Sequence, residues 1–147
     1  MIPFIVLIAL FALLRVIGQT FGVYSWWDSL RLALVGMFLL TASAHWGKRR
    51  KDLIQMLPPA FPRPDLLVTG TGVLEILGAV GLLIPSIAPY AALGLFLLLI
   101  AIFPANVHAA RQRLTIAERA VPELWPRTLL QVVFLAAVGA VFLGAPR

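Results

Sequence analysis

The chain has 147 residues, of which 61% are hydrophobic and 12% are charged, and its mean hydropathy is +0.98. These values lie well outside those of a soluble domain and favour an integral membrane protein. The chain contains no cysteine, which excludes disulfide exchange, thiol nucleophiles and iron–sulfur ligation from its chemistry.

Five apolar stretches follow one another along the chain. A helix that crosses the hydrocarbon core needs about 20 mostly apolar residues. We predict spanning helices over residues 2–23, 29–46, 66–84, 88–107 and 128–143. The first stretch has no basic residue before it and no clear cleavage site after it, so we interpret it as a helix and not as a signal peptide. Arg15, within it, can extend to the interface in a structural role.

The joints between these stretches differ in positive charge. Basic residues are concentrated after the second and the fourth predicted helices and are sparse on the other side, which places the N-terminus and those two joints in the cytoplasm and the C-terminus outside. The first group is Lys48, Arg49, Arg50, Lys51, Arg63, Arg111, Arg113, Arg119 and Arg127, and the second is Arg15, Arg31 and Arg147. We therefore interpret the net charge of +6 as topology and attraction to anionic lipid, and predict no nucleic-acid partner.

Proline and capping patterns predict the shape of the joints. Four prolines between Leu57 and Asp65 exclude a helix there and predict an extended segment. Thr115 and Glu118 have the spacing of a capping box, which predicts a short cytoplasmic helix that ends before Pro122. At the end of the fourth apolar stretch, the string FPANVH (103–108) is expected to close the helix at a polar pocket.

Glu75 is the sharpest candidate for a functional residue. It falls near the middle of the third predicted helix, where a carboxylate costs about 2.5 to 3.5 kcal/mol to insert. Its neighbours three and four positions away include Gly72 and Gly78, so this face consists of small residues that let another element approach closely. We predict that Glu75 points into the bundle.

Four further polar residues are expected at about the level of Glu75. His45 ends the second predicted helix, Thr71 lies one turn before Glu75, Asn106 ends the fourth helix and Gln131 begins the fifth. Together with Glu75 they form the predicted ligand site, and for Gln131 we also expect an interhelical hydrogen bond. Two histidines and one intramembrane carboxylate match no metal-ligand spacing, and no nucleophile elbow or Walker pattern occurs, so we predict neither a metal nor a catalytic residue.

The chain resembles the DoxX-like family of small membrane proteins. The resemblance covers about residues 30–139 and lies in the order and spacing of TASAHWG, MLPPAFP, TGTGVLEILGAVGLLIP and IAIFPANVHAA. It implies an all-α four-helix bundle of a bacterial inner membrane, here residues 29–143, preceded by one extra transmembrane helix in residues 1–23. It also implies association with redox systems that handle thiosulfate, quinone or thiol stress. The chain departs from the family pattern at its extra helix and at His108, where relatives often carry an aromatic residue.

These observations predict a membrane protein that binds a quinone-like or lipid amphiphile in the cytoplasmic half of the bundle, as a non-catalytic subunit of a redox-linked system. Glu75 would exchange a hydrogen bond or proton with the ligand, while His45 and Asn106 would orient it. No cofactor is predicted beyond such a ligand. Two alternatives stay open: a scaffold whose glycine faces hold a partner or a second copy, and a proton-coupled transporter that would require a dimer.

Overall fold

The structure is a computed structural model that describes residues 2–112, 115–116, 119–120 and 123–144. The helices in these ranges are α1 (Ile2–Phe21), α2 (Trp26–Ser43), α3 (Arg50–Met56), α4 (Pro64–Leu83), α5 (Ala88–Arg111) and α6 (Leu124–Gly144). Two short strands, β1 (Thr115–Ile116) and β2 (Arg119–Ala120), pair antiparallel between α5 and α6. The described chain is therefore helical apart from this one pairing.

Four of the helices are long and apolar enough to cross a membrane: α1, α4, α5 and α6, of 20 to 24 residues each. Their outward faces carry large exposed side chains such as Ile5, Leu77, Leu97 and Val132. In water such a continuous apolar surface would be a liability, whereas lipid solvates it without cost. These helices indicate a membrane protein that contacts lipid, in agreement with four of the five predicted spans.

The second predicted span, α2, is the central helix of the structure. It packs against α1, α4 and α6, while α4 contacts α5 and α5 contacts α6, so that α2, α4, α5 and α6 close a ring. The largest fully buried apolar side chains include Leu34, Met37 and Phe38 from α2. Asp28 and Arg31 in its first turns make α2 less apolar than its neighbours, and its crossing of the membrane stays a prediction.

The extra N-terminal helix packs on the outside of this ring. Leu7 of α1 is 3% exposed and belongs to the same hydrophobic cluster as the buried residues of α2. Leu10 and Phe11 pack against that cluster as well, and a Cβ on Gly36 of α2 would collide with Leu10. The absence of a side chain at Gly36 therefore lets α1 lie close to α2.

The helix boundaries differ from the predicted ones in two places that affect the site. Helix α2 begins at Trp26 because Ser25 and Asp28 form a capping box, and it ends at Ser43, so that His45 lies in the following turn. Helix α4 begins at Pro64, whose missing N–H costs nothing at the first helical position. The preceding residues 57–63 are not helical, as predicted, but the prediction of an extended segment over 57–65 is wrong in two respects: Phe61 N bonds to Pro58 O in a turn, and Pro64 and Asp65 belong to α4.

Two predictions about the last joint are wrong. Helix α5 continues through Pro104 to Arg111, so FPANVH does not close it; one proline removes a single backbone donor, and the other bonds of the helix persist, as from Gln112 N to His108 O. Thr115 does not cap a helix but begins β1, where it pairs with Ala120. The other member of the predicted capping box, Glu118, lies outside the described residues.

The capping box of α2 can be tested by Ser25→Ala. The Ser25 hydroxyl accepts from Asp28 N at 3.1 Å, and Asp28 Oδ2 accepts from Ser25 N at 3.1 Å. We expect the variant to lose about 1 kcal/mol of unfolding free energy in detergent. Ser43→Ala is the matched control, because that hydroxyl bonds to Leu40 O within its own helix and caps nothing. Equal stabilities of the two variants would contradict a role for the box.

Candidate functional site

A cavity of about 510 Å³ lies at the end of the structure where α1, α4 and α6 begin and α2 and α5 end. Its lining is mostly apolar, with Ile2 from α1, Leu40 from α2, Met56 from α3 and Ile102 from α5 among the contributors. The polar members of the lining are Thr41, His45, Arg49, Thr71, Glu75, Asn106 and Arg127. A concave apolar site with a few convergent polar groups is the usual form of a small-molecule pocket.

Glu75 faces this cavity from the middle of α4, and its side chain is held by α2. The residue is 6% exposed, which confirms the prediction that it points into the bundle. Its Oε2 lies 2.6 Å from Oγ1 of Thr41, and its Oε1 lies 3.5 Å from Nε2 of His45. A carboxyl group in a membrane interior thus has a partner for each of its oxygens, as its cost of burial requires.

The contacts of His45 define how its ring is protonated. Its Nδ1 lies 2.6 Å from the carbonyl oxygen of Val68. A carbonyl accepts and cannot donate, so Nδ1 carries a proton and Nε2 is the ring atom that faces Glu75. One further proton can then occupy the space between Nε2 and Oε1, on either the imidazole or the carboxyl group, and in both cases the pair is neutral overall.

The Thr41 hydroxyl can follow either protonation of Glu75. Its oxygen lies 3.0 Å from Phe38 O in its own helix and 2.6 Å from Glu75 Oε2. Thr41 donates its one proton to Glu75 Oε2 whether the proton shared with His45 lies on Nε2 or on Oε1, because Oε2 is an acceptor in both cases. The trio of Thr41, His45 and Glu75 therefore stays hydrogen-bonded when a proton moves.

Gly72 allows His45 to come this close to α4. A Cβ at that position would lie 2.7 Å from Cβ and Cγ of His45 and 2.8 Å from the indole of Trp46. Neither approach is possible for real carbon atoms, so any side chain at Gly72 would push the His45 turn away from Glu75. The predicted small-residue face exists, and this part of it receives a turn of the same chain.

Arg50 fixes the same turn from the other side. Its guanidinium donates to His45 O at 2.9 Å, to Asp65 O at 3.0 Å and to Thr69 Oγ1 at 2.9 Å. These bonds connect the His45 turn, the start of α3 and the first turns of α4. One basic residue of the run from Lys48 to Lys51 thus has a structural role in addition to its charge.

Asn106 and Arg127 form a second polar group on the cavity wall. A guanidinium nitrogen of Arg127 donates to Oδ1 of Asn106. Because Arg can only donate, the amide of Asn106 is oriented with its oxygen toward Arg127 and its NH₂ group available elsewhere. The Nε atom of Arg127 is buried and has no hydrogen-bond partner among the described residues.

The five predicted site residues do not all meet. Glu75, His45, Thr71 and Asn106 line the cavity, and the Thr71 hydroxyl bonds to Leu67 O at 2.9 Å and lies 3.4 Å from His45 Nδ1. Gln131 is absent from that lining: its side chain, 6% exposed, donates to Leu99 O and joins α6 to α5. Its geometry is that of the interhelical hydrogen bond, so a ligand contact by Gln131 has no support.

Three polar residues of the cavity lining were not among the predicted site residues: Thr41, Arg49 and Arg127. Thr41 lies four residues before His45, so its place on the same helix face was a usable signal. Arg49 and Arg127 were assigned to topology alone, because nothing in a basic joint distinguishes a cation that enters a pocket from one that stays in water. Among the described residues, no group of three His, Cys, Asp or Glu side chains could hold a metal ion.

Comparison with known proteins identifies a family. A family model described as a domain of unknown function, DUF8561, matches residues 34–142. The matched range begins inside α2 and ends inside α6, so it contains the cavity residues of α2 through α6 and leaves out α1. No curated protein and no solved structure matches the chain.

The close approach at Gly72 is tested by Gly72→Ala. We expect the added methyl to displace the His45 turn and to lower the unfolding free energy in detergent by about 1 to 3 kcal/mol, as overpacking does. The control is Gly70→Ala on the same helix, where a Cβ would meet nothing within 4 Å. That change should leave stability equal or slightly higher. A tolerated Gly72→Ala would show that the turn can move freely.

The Arg50 contacts are tested by Arg50→Gln. We expect a loss of about 2 kcal/mol, because hydrogen bonds of a charged donor contribute more than neutral ones and three of them are removed or weakened. Lys51→Gln removes the same charge from the next residue, which is exposed, and should change stability by less than about 0.5 kcal/mol. Unfolding curves that coincide for the two variants would assign the effect to charge alone.

Proposed function

The chain belongs to the DUF8561 family, whose function is unknown, and from this premise we propose that it binds a small amphiphile, a quinone-like molecule or a lipid, in the cavity around Glu75. The observation that carries the proposal is the convergence of a buried protonable pair on a 510 Å³ cavity whose lining is mostly apolar. Apolar walls favour a hydrocarbon or ring system, and the polar groups orient one polar end of it.

The polar groups offer the ligand a defined set of hydrogen bonds. The His45–Glu75 pair can donate a hydrogen bond from its shared proton to a ligand carbonyl, or accept one at a carboxylate oxygen from a ligand hydroxyl, and the pair stays neutral overall in both cases. Across the cavity, the amide NH₂ of Asn106 is a donor that its bond with Arg127 leaves available. A ligand with an oxygen at its polar end matches both groups, and its apolar part matches Leu40, Met56 and Ile102.

The membrane arrangement that fits this function has five spans: the four long apolar helices and, in addition, α2. The cavity end carries the basic joints, and the positive-inside rule favours a cytoplasmic orientation for that end. The resemblance to DoxX-like proteins suggests a bacterial inner membrane and a subunit of a redox-linked system. A partner enzyme would carry the electrons, because the chain has no cysteine of its own. Catalysis by the chain itself is not part of the proposal.

The scaffold alternative depends on glycine faces that are free to hold a partner or a second copy, and these glycines are instead used for packing within the chain. A Cβ on Gly78 would collide with Leu95, and one on Gly81 would lie 2.7 Å from Cβ of Ala91, so these glycines serve the packing of α4 on α5. Gly72 serves the His45 turn in the same way. Substitution at these glycines would disturb the fold of a single chain, so it does not report on assembly with another protein.

Glu75→Gln tests the amphiphile site. The full chain is purified in mild detergent, and native mass spectrometry compares co-purifying small molecules in the wild type and the variant. We expect an adduct in the wild type that is reduced at least about tenfold in Glu75→Gln, since the amide cannot share a proton with His45. The mass of the adduct identifies its chemical class.

Asp65→Asn is the matched control, because it neutralises an exposed carboxylate of the same helix outside the cavity. It should keep the adduct at the wild-type level. Circular dichroism on all three proteins shows whether helix content is preserved. An adduct that persists in Glu75→Gln would move the binding site away from Glu75, and no adduct in any folded protein would contradict a tightly held ligand.

A further inference from the structure

We propose that the polar end of the bound amphiphile is a phosphate group, held at the Arg127 side of the cavity with Arg49. This inference rests on the proposed function and narrows its ligand from a quinone-like or lipid molecule to a phosphate-bearing lipid. It depends on two cations of the cavity wall that the contacts of Glu75 and His45 do not involve.

Arg127 has no carboxylate partner among the residues that the structure describes. In the part of the chain that the structure describes, no carboxylate lies within ion-pair distance of its guanidinium, and its side chain has one acceptor, the neutral amide of Asn106. A guanidinium has five N–H donors, and the buried Nε donor is unsatisfied among the described residues. A partly buried cation in this state is costly unless an anion reaches it.

The position of Arg127 in its helix adds to this requirement. It lies in the first turn of α6, where free backbone N–H groups give the helix end a partial positive charge. A cation there is unfavourable, whereas an anion would be attracted by the helix end and by the guanidinium together. The first turn of α6 thus concentrates positive potential next to the cavity.

Arg49 supplies a second cation at the same cavity. It is the residue before α3, its side chain makes no capping hydrogen bond, and it is exposed at the wall of the cavity. The carboxylate of the described lining, Glu75, already has Thr41 and His45 as partners. Two guanidinium groups therefore line a cavity in which the carboxyl group of Glu75 is already hydrogen-bonded to other residues. An anionic ligand would neutralise the positive charge of these two groups.

The chemistry of the two cations favours phosphate over the polar end of a quinone. Planar guanidinium groups bind the oxygens of a phosphate in pairs, whereas a quinone offers one neutral carbonyl oxygen at each end. The apolar lining at Leu53, Met56 and Phe61 suits an attached hydrocarbon chain, which free phosphate lacks. A phospholipid and free phosphate present the same phosphate group to the two arginines, and the experiment below distinguishes between these two ligands.

The test measures lipid binding to the full chain by native mass spectrometry in a detergent that supports titration. The two probes are dioleoyl phosphatidylglycerol and dioleoylglycerol, which have the same hydrocarbon chains and differ in the phosphoglycerol group. We expect the phosphatidylglycerol to bind at least about tenfold more tightly to the wild type. Arg127→Gln should remove most of this preference.

Control variants separate a site from general charge. Lys48→Gln removes one positive charge from the same end of the molecule at an exposed residue outside the cavity lining, and should leave the preference unchanged. Arg49→Gln should reduce the preference by a smaller factor than Arg127→Gln. Because Arg49 is exposed, this variant is expected to fold and keeps the test valid even if Arg127→Gln does not.

The outcomes distinguish the two proposals. Equal binding of both lipids to the wild type, or equal effects of Lys48→Gln and Arg49→Gln, overturns the phosphate inference while the amphiphile site at Glu75 stands. If millimolar inorganic phosphate by itself displaces phosphatidylglycerol, the claim that the bound phosphate group belongs to a lipid is overturned. Binding of neither lipid, with no adduct in the wild type, contradicts the proposed function itself.

Discussion

Burial of one carboxyl group determines the organisation of this end of the molecule. Glu75 lies in the middle of α4 and is 6% exposed, so each of its oxygens needs a partner from a neighbouring element. Thr41 supplies one from α2 and His45 supplies the other from the turn after it. That turn reaches α4 because Gly72 has no side chain, and the carbonyl of Val68 orients the imidazole. The contact between α2 and α4 is thus specified by polar groups as well as by apolar packing.

The basic joints serve several physical purposes at once. Arg50 is part of the fold, because it bonds to backbone and side-chain oxygens around the His45 turn. Arg127 and Arg49 belong to the cavity wall and add positive potential to a mostly apolar space. Lys48 and Lys51 are exposed and contribute charge at the surface. The positive-inside rule counts the basic residues of each joint without regard to their individual roles. Composition alone therefore cannot separate the basic residues that stabilise the fold from those that line the cavity or lie at the surface.

Local signals predicted part of the fold and of the site. The length of the apolar stretches was sufficient for the helices α1, α4, α5 and α6. The prolines excluded a helix from residues 57–65, which is correct for 57–63 but wrong for Pro64 and Asp65, where α4 begins. The same type of residue misled at Pro104, because a helix supported by packing on its neighbours tolerates one missing donor. The start of α2 was missed because the cap at Ser25 lies in an aromatic segment where apolar periodicity is weak. Gln131 was grouped with the site by its level in the membrane, but its direction around the helix leads to Leu99.

By itself, the sequence determined that this is a helical membrane protein and that Glu75 requires a partner, because both conclusions depend on local quantities: the apolar length of a helix and the cost of a carboxylate within it. The tertiary structure decided which groups answer that requirement. It placed His45 beyond the end of α2, brought Thr41 to Glu75, turned Gln131 away, and moved Arg127 from the joint into the cavity wall. These outcomes depend on how far helices rotate and where they end relative to one another, and such relations arise from packing between residues distant in the chain.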